Sequence, residues 1–523
     1  MPHESSRSAA SLSGDRSDGN WFERSPGWRV VAVSAVGAAL ITLCFFAPRF
    51  WLWPAAGLPL TEFISIEPEF HRAFHALRQL NDPWMPIDDA TNRVIEWRLF
   101  WPVLAHTLGL SKGVYLALPH LGCVVALLAV AAIVWRATLQ ALPTAGATLL
   151  AATSSWFFVS TGWLAYFDSW LVLALVLASF AQSRWLLFGA ALIAPWIDER
   201  FIVALPLCIA VRSAGTERAT PRDRTAFAWD GAALAAGIAP YIAVRLGVEW
   251  TAARGTSRAY WTDRPLVPAP WLPMLWGAWN GLRLGWVAVA FACVAAFRLG
   301  RHRLAVATAL AALIVNLCIA DDISRSASMA VPVMIAGVLL AWRHRPAQSR
   351  RLLPALCAAN LVLPAQHVIA TWAAPTTHQS MPILALDAER ERARNPPEFA
   401  SPSAYNRRSI DHFQNKSVER ALVAADIALA FDPDFAKAIA NHGILLYMSG
   451  RKPEGTLELD RALQRAPQLY DARLQRAAFR QQAGDLRGAL EDVRQALQDM
   501  PADWPRRPEA QQYERTLAAQ VGR

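Results

Sequence analysis

Residues 185–211 read WLLFGAALIAPWIDERFIVALPLCIAV, two apolar halves of about eleven residues parted by Pro195, Asp198, Glu199 and Arg200. A helix rises about 1.5 Å per residue, so each half falls short of the ~30 Å hydrocarbon core of a bilayer. The stretch is therefore either one interrupted pass or a pair of short helices that enters and returns. Lys and Arg in short loops are retained on the cytoplasmic side, and this rule separates the two readings. If the stretch returns, one side carries Arg136, Arg184, the group Arg212, Arg218, Arg222 and Arg224, the run Arg298, Arg301 and Arg303, and Arg343, Arg345, Arg350 and Arg351. A single pass would move the last three of these groups to the other side, so the sequence favours the hairpin.

Working outward, apolar runs of spanning or near-spanning length recur at about 28–47, 114–135, 144–161, 166–183, 228–247, 273–297, 304–320, 326–342 and 352–373. With the hairpin they predict an all-α, polytopic membrane domain over 28–373 with roughly eleven membrane-embedded helices. Residues 1–27, rich in Ser, Arg, Asp and Gly, read as a disordered cytoplasmic tail. The run Val30 to Phe46 lacks a cleavage site at its end and reads as an uncleaved first span. The expected home is the cytoplasmic (inner) membrane. The non-cytoplasmic side then receives 48–112, Asp168, the Asp198/Glu199 turn, 248–272, Asp321/Asp322 and the C-terminus, so most acidic residues of the membrane half converge there.

Composition agrees. Of 523 residues, 54% are hydrophobic and 18% charged, which excludes an ordinary soluble enzyme and a disordered chain. The formal charge of +10 is explained by basic cytoplasmic loops rather than by a nucleic-acid partner. All but one of the 23 Trp lie between Trp21 and Trp372, as expected for indoles at membrane interfaces. The six cysteines fall in apolar runs without a CxxC pair, which fits neither a zinc site nor a disulfide framework.

After Trp372 comes a polar, Pro-rich linker, 374–402, and then a self-similar stretch over 403–523. Its prolines Pro433, Pro467 and Pro501 recur every 34 residues, as do Gly450/Gly484, Ala421/Gly455/Ala489 and Ala428/Ala462/Ala496. The stretch resembles the tetratricopeptide repeat (TPR), with good units at about 436–469 and 470–503, a degenerate one before them and a capping helix at 506–520. The resemblance implies an α-solenoid whose concave groove takes a protein or peptide partner through Lys437, Asn441, Tyr447, Arg473, Arg476 and Arg480. Solvated polar positions on amphipathic helices are the plainer account of the same residues.

Ionisable side chains in apolar spans cost about 2.5–3.5 kcal/mol each on insertion scales, so each needs a reason. Glu67 and Glu69, in the stretch Ile66 to His75, followed by Asp88 and Asp89 and then by Glu96, offer carboxylates for a general base or a metal-phosphate group, and Arg93 and Arg98 offer contacts for a phosphate. The alternative is a solvated interfacial helix with snorkelling arginines. His71 and His75 share a helix face, but no third ligand accompanies them. Tyr166 and Asp168 open a later span; Asp198, Glu199 and Arg200 fill the hairpin break, where they either serve a site or neutralise one another. The 248–272 loop alternates Arg254, Arg258 and Arg264 with Tyr260 and Trp261. Asp321, Asp322 and Arg325 form either a phosphate-positioning group or a capping turn.

In this order the features resemble the GT-C class of multi-pass glycosyltransferases, protein O-mannosyltransferases among them. The motifs are an acidic first outer loop (Glu67/Glu69), Tyr166/Asp168, the break from Gly189-Ala190 through Leu205-Pro206, and Arg325 before the Pro332 span. The resemblance covers roughly 28–373. It implies transfer of a sugar from a polyprenyl-phosphate carrier to an acceptor on the outer face, with an acid of the first loop as base. Some members need a divalent metal ion, and some carry TPRs after the membrane domain. This sequence departs from the class in having Glu-Pro-Glu where an Asp or Asp-Glu pair is commoner. On this reading Glu67 or Glu69 is the base and Arg93, Arg98 or Arg325 meets the phosphate. Asp168, Asp198, Glu199, Arg200 and Asp322 shape the site, and the repeats recruit the acceptor or a partner. The rival expectation is a non-catalytic, membrane-anchored TPR scaffold for envelope assembly; a transporter would show inverted repeats, and none is visible.

Overall fold

The structure, a computed structural model, describes residues 27–52, 71–85, 93–214, 221–251, 271–298, 303–319, 322–369, 376–379, 381–385, 390, 402–414 and 417–522. These residues are overwhelmingly helical. In chain order the membrane half runs α1 (Gly27–Phe45), β1 (Phe46–Ala47), α2 (His71–Asn81), α3 (Phe100–Thr107), α4 (Lys112–Thr138), α5 (Ala141–Ala152) and α6 (Ser155–Gly162). It continues with α7 (Asp168–Phe180), α8 (Arg184–Ile197), α9 (Arg200–Ala214), α10 (Pro221–Thr251), α11 (Trp271–Leu282), α12 (Gly285–Arg298) and α13 (Arg303–Ile319). It closes with α14 (Ile323–Ala327), α15 (Val331–His344), α16 (Pro346–Val362) and the strands β2 (Gln366–Ile369), β3 (Thr376–Gln379) and β4 (Met381–Pro382).

The count of eleven membrane-embedded helices is not upheld. Among the described residues four helical stretches are long and apolar enough to cross a membrane: Gly27–Phe45, Lys112–Thr138, Thr225–Gly247 and Ile323–His344. Two bent pairs, α5 with α6 and α11 with α12, raise this to six if each pair is one span. The set is consistent with a multi-pass membrane protein. The difference has a physical cause, because several runs that read as spans are shorter helices or break in the middle. Helix α7 has 13 residues and α8 14, about 20 Å each, too short for a ~30 Å core.

The run 144–161 bends by 57° at Thr153–Ser154. There Thr153 Oγ1 and Ser154 Oγ donate to the carbonyls of Leu149 and Leu150. The run 273–297 bends by 93° at Arg283, whose φ is +49°. Its guanidinium donates to Thr153 O (2.6 Å) and Leu363 O (2.8 Å), so one cation caps the C-terminal ends of α5 and α16 at its own break.

The run 185–211 does divide at Asp198–Glu199 and does return. Arg184 at the start of α8 and Arg212 at the end of α9 both pair with Asp230, which puts those two ends together and the Asp198–Arg200 turn at the far end. Both helices pack on α7, α8 also on α10 and α9 also on α13. Trp156, Phe157, Leu171, Leu175, Leu187, Phe201, Val331 and Met334 belong to one buried core at this junction. Small residues let backbones close up, as where a Cβ on Gly337 would lie 1.9 Å from Ala288 O.

Part of the expected linker is built into the membrane half. Strand β3 pairs with β2 (His367 opposite His378), and β4 pairs with β1 (Phe46 opposite Pro382, Ala47 opposite Met381), both antiparallel. Beyond it come α17 (Pro402–Gln414), α18 (Val418–Phe431), α19 (Ala436–Met448), α20 (Lys452–Arg465), α21 (Tyr470–Gln482), α22 (Leu486–Asp499) and α23 (Arg507–Val521). Consecutive helices pair, and each pair packs on the next.

The 34-residue period has a structural counterpart here. Gly450 and Gly484 sit at φ +93° and +86° in equivalent turns between paired helices. Arg451 N donates to Leu446 O and Asp485 N to Arg480 O, both at 2.9 Å. Ala428, Ala462 and Ala496, one period apart, are each fully buried.

Candidate functional site

The turn between α8 and α9, the N-terminus of α7 and the start of α14 meet beside the chain leading into α3. Their charged side chains form an alternating row. Arg98 grips Glu199 with two hydrogen bonds (3.2 and 2.9 Å) and reaches Asp198 Oδ2 with its third nitrogen (2.9 Å). Arg200 takes Asp198 through Nε and Nη2 (2.8 and 2.6 Å) and Asp168 through Nη2 (2.7 Å). Arg325 takes Asp168 through Nε (3.0 Å) and Nη2 (2.7 Å) and turns its remaining nitrogen to Asp322. His367, delivered by β2, ends the row with Nε2 2.8 Å from Asp322 Oδ1.

Three arginines thus each join two carboxylates. Asp168 is 2% exposed and Arg325 3%, a depth at which unpaired charge is very costly. Burial alone would raise the Asp198 carboxyl, yet Arg200 and Arg98 outweigh it and hold it well below the usual range. Asp322 is likewise lowered, burial being overcome by Arg325 and His367. Arg98 responds in kind, raised above its ordinary value because Asp198 and Glu199 outweigh its burial.

Beyond His367 the row continues in hydroxyls. Ser324 Oγ accepts from Val368 N (3.1 Å) and lies 3.2 Å from Ser155 Oγ and 3.1 Å from His367 Nδ1. With Val368 N–H and Ser155 O–H both donating to Ser324, the Ser324 proton faces His367 Nδ1, which leaves Nε2–H for Asp322.

A fourth arginine behaves differently. Arg72, on the buried face of α2, is 8% exposed, and its Nε has no hydrogen-bond partner among the described residues. Its guanidinium lies 4.2 Å from the centre of the Tyr166 ring, and that of Arg325 lies 4.6 Å from the same centre. Burial pushes the Arg72 pKa down to about 10, with repulsion from Arg98 and Arg325 adding to it. By count Arg72 balances the four carboxylates against the three bridging arginines, but it touches none of those carboxylates. Charge is balanced and contact is not.

No family model matches this chain. Nor does any curated protein match it.

Of the residues singled out in the sequence, Arg98, Asp168, Asp198, Glu199, Arg200, Asp322 and Arg325 come together here. Glu67 and Glu69 lie outside the described residues, as do Asp88, Asp89, Asp321 and most of the 248–272 loop. Arg93 opens the short 3-10 turn Arg93–Trp97, and its side chain is also outside them. Among the described residues no group of three His, Cys, Asp or Glu side chains is placed to hold a metal.

In the C-terminal helices most of the proposed groove residues bond to one another or to their neighbours. Asn441 donates to Asn406 (2.7 Å), and Tyr447 stacks on Phe479 with ring centres 3.6 Å apart. Arg473 pairs with Asp499 (3.5 Å), Arg476 with Asp460 (2.6 Å) and Asp492, and Arg480 with Asp492 (3.0 Å). Lys437 is exposed.

Sequence reading missed His367 and did not single out Arg72. His367 lies in a polar stretch past the last apolar run and carried no signal. Arg72 carried a faint one: it shares the i, i+4 and i+8 positions of one helix face with Ala76 and Leu80, both buried.

Proposed function

We propose that the chain is a multi-pass membrane glycosyltransferase of the GT-C kind. It moves a sugar from a polyprenyl-phosphate carrier to an acceptor on the outer face of the cytoplasmic membrane. The observation that supports this most is Arg72: a buried guanidinium with no carboxylate contact at the edge of a row whose other arginines are all bridged, and with its Nε unused, as Nη1 of the bridged Arg200 also is. An anionic oxygen would fill that contact, and a phosphate that becomes a leaving group needs such a partner. Arg98 and Arg325 spend their donors on carboxylates, so their role here is to position, and the phosphate contact passes to Arg72.

On this reading Glu67 or Glu69 takes the proton from the acceptor hydroxyl. The hydroxyl oxygen bonds to the anomeric carbon, and the carbon–oxygen bond to the phosphate breaks. The phosphate leaves with the bonding pair beside Arg72. The C-terminal helices, read as TPRs, hold the acceptor near the site; Arg78 on α2, the helix of Arg72, pairs with Asp426 on α18 at 3.5 Å. The scaffold reading leans on the groove side chains, and five of those six are already engaged within the domain.

The test is release of polyprenyl phosphate from polyprenyl-phosphate-linked sugars by the full chain in proteoliposomes. Arg72→Gln is expected to lower release about 100-fold or more, with Glu67→Gln and Glu69→Gln together doing the same. Release that survives Arg72→Gln would remove the phosphate contact. No release by the unaltered chain from any polyprenyl-phosphate sugar offered would end the proposal.

A further inference from the structure

At the end of α1 remote from β1 a groove of about 480 Å³ runs between α1 and α5. Val33, Gly37 and Ile41 line one wall, Ala141, Ala145 and Leu149 the other, and Arg29 stands at its mouth. Gly and Ala on facing helices normally let the backbones touch. The two helices do pack here, but on the groove side they leave a gap, where a Cβ on Gly37 would meet nothing within 4 Å. Apart from Ser34 the groove is apolar along its length, and it is cationic at one end. Trp28 beside it is 55% exposed and carries the Arg29 guanidinium 5.8 Å from its ring centre, the placement of an interfacial anchor. Arg29 has no carboxylate partner among the described residues.

Dimensions identify the occupant. From Arg29 to Ile41 the helix rises about 18 Å, close to the ~15 Å depth of one leaflet of the hydrocarbon core. Chain-shaped apolar space of one leaflet's depth, headed by an arginine without a carboxylate partner among the described residues, is complementary to a single acyl chain with an anionic headgroup. We infer that the groove between α1 and α5 binds one anionic glycerophospholipid from the leaflet at the N-terminal end of α1, its phosphate on Arg29. The site is separate from the arginine–carboxylate row, because Ser155, which bonds to Ser324 beside that row, follows the opposite end of α5. The inference does not depend on any transferase activity.

The test uses the full chain in nanodiscs of phosphatidylcholine with graded phosphatidylglycerol, counting lipids retained after release by native mass spectrometry. The unaltered chain is expected to retain one phosphatidylglycerol in about fivefold preference over phosphatidylcholine, the effect of one arginine near a charged surface. Arg29→Gln, at an exposed position, should keep a bound chain and lose the preference. Gly37→Leu and, from the other wall, Ala145→Leu should abolish retention of either lipid. Equal retention of both lipids by the unaltered chain overturns the inference whatever the variants do. Undiminished retention in a folded Gly37→Leu or Ala145→Leu chain overturns it as well.

Discussion

Arg325 in the membrane half and Arg476 in the C-terminal helices are built alike. Each clamps one aspartate with two donors, Asp168 or Asp492, and gives its remaining nitrogen to a second, Asp322 or Asp460. Both inner aspartates are buried, Asp168 at 2% and Asp492 at 5%, and the surroundings differ in the arginine and the outer partner: Arg325 and Asp322 are 4% and 20% exposed, against 16% and 39% for Arg476 and Asp460. A clamp whose arginine and outer partner reach water fixes helix packing and little else. Out of water the same clamp must be complete, because every unmet charge is expensive. An arginine left without a carboxylate contact in the dry row therefore means more than an exposed lysine on the wet one.

The largest expected effect comes from breaking the dry clamp. Asp168→Asn strips both Arg200 and Arg325 of a buried partner and should cost about 3–5 kcal/mol. Asp492 is itself buried, but its partners Arg476 and Arg480 are 16% and 31% exposed and can turn to water, so Asp492→Asn should cost about 1–2 kcal/mol. Hydrogen exchange over α7 and α22 in the full chain compares the two directly, and equal losses would erase the distinction.

Acid comes next. Asp198 and Asp322 are depressed in the folded chain, so the stability they supply is fully present above the unfolded aspartate value of about 3.9 and is lost as pH falls through their lower folded values. Near-UV circular dichroism of the membrane half is therefore expected to hold steady from pH 7 to about pH 4 and to fail only below. A transition centred between pH 5 and 6 would show a carboxyl of the row titrating high, contrary to its pairing.

The smallest effect belongs to the bridge between the two regions. Arg78 and Asp426 are partly solvated, at 34% and 23% exposure. Arg78→Ala should cost no more than about 1 kcal/mol and should show as faster proteolytic release of residues 402–522 without change in the row.

What was legible followed from length and period. Two halves too short to span, with charge between them, gave the α8–α9 hairpin, and small residues every 34 positions marked where paired helices touch. The convergence of Asp168, the Asp198–Arg200 turn and Asp322–Arg325 was legible because buried charge has few solutions. The breaks at Thr153 and Arg283 were not, since hydropathy is blind to a hydroxyl or guanidinium that caps carbonyls. Nor was His367, which reaches the row only because β2 folds back against β3. The span count failed for the same reason: apolar length does not reveal where a helix stops.

The pairing of β1 with β4 carries a consequence for biogenesis. Phe46 leaves the ribosome early, but its partner Pro382 emerges only after every helix of the membrane half has been made. The strand edge at β1 therefore waits unpaired through most of synthesis, and its closure is a contact of very high sequence separation, the slowest kind to form. Closure of this edge therefore depends on a segment beyond the last helix of that half, and a chain that stops short of Pro382 lacks the partner of Phe46.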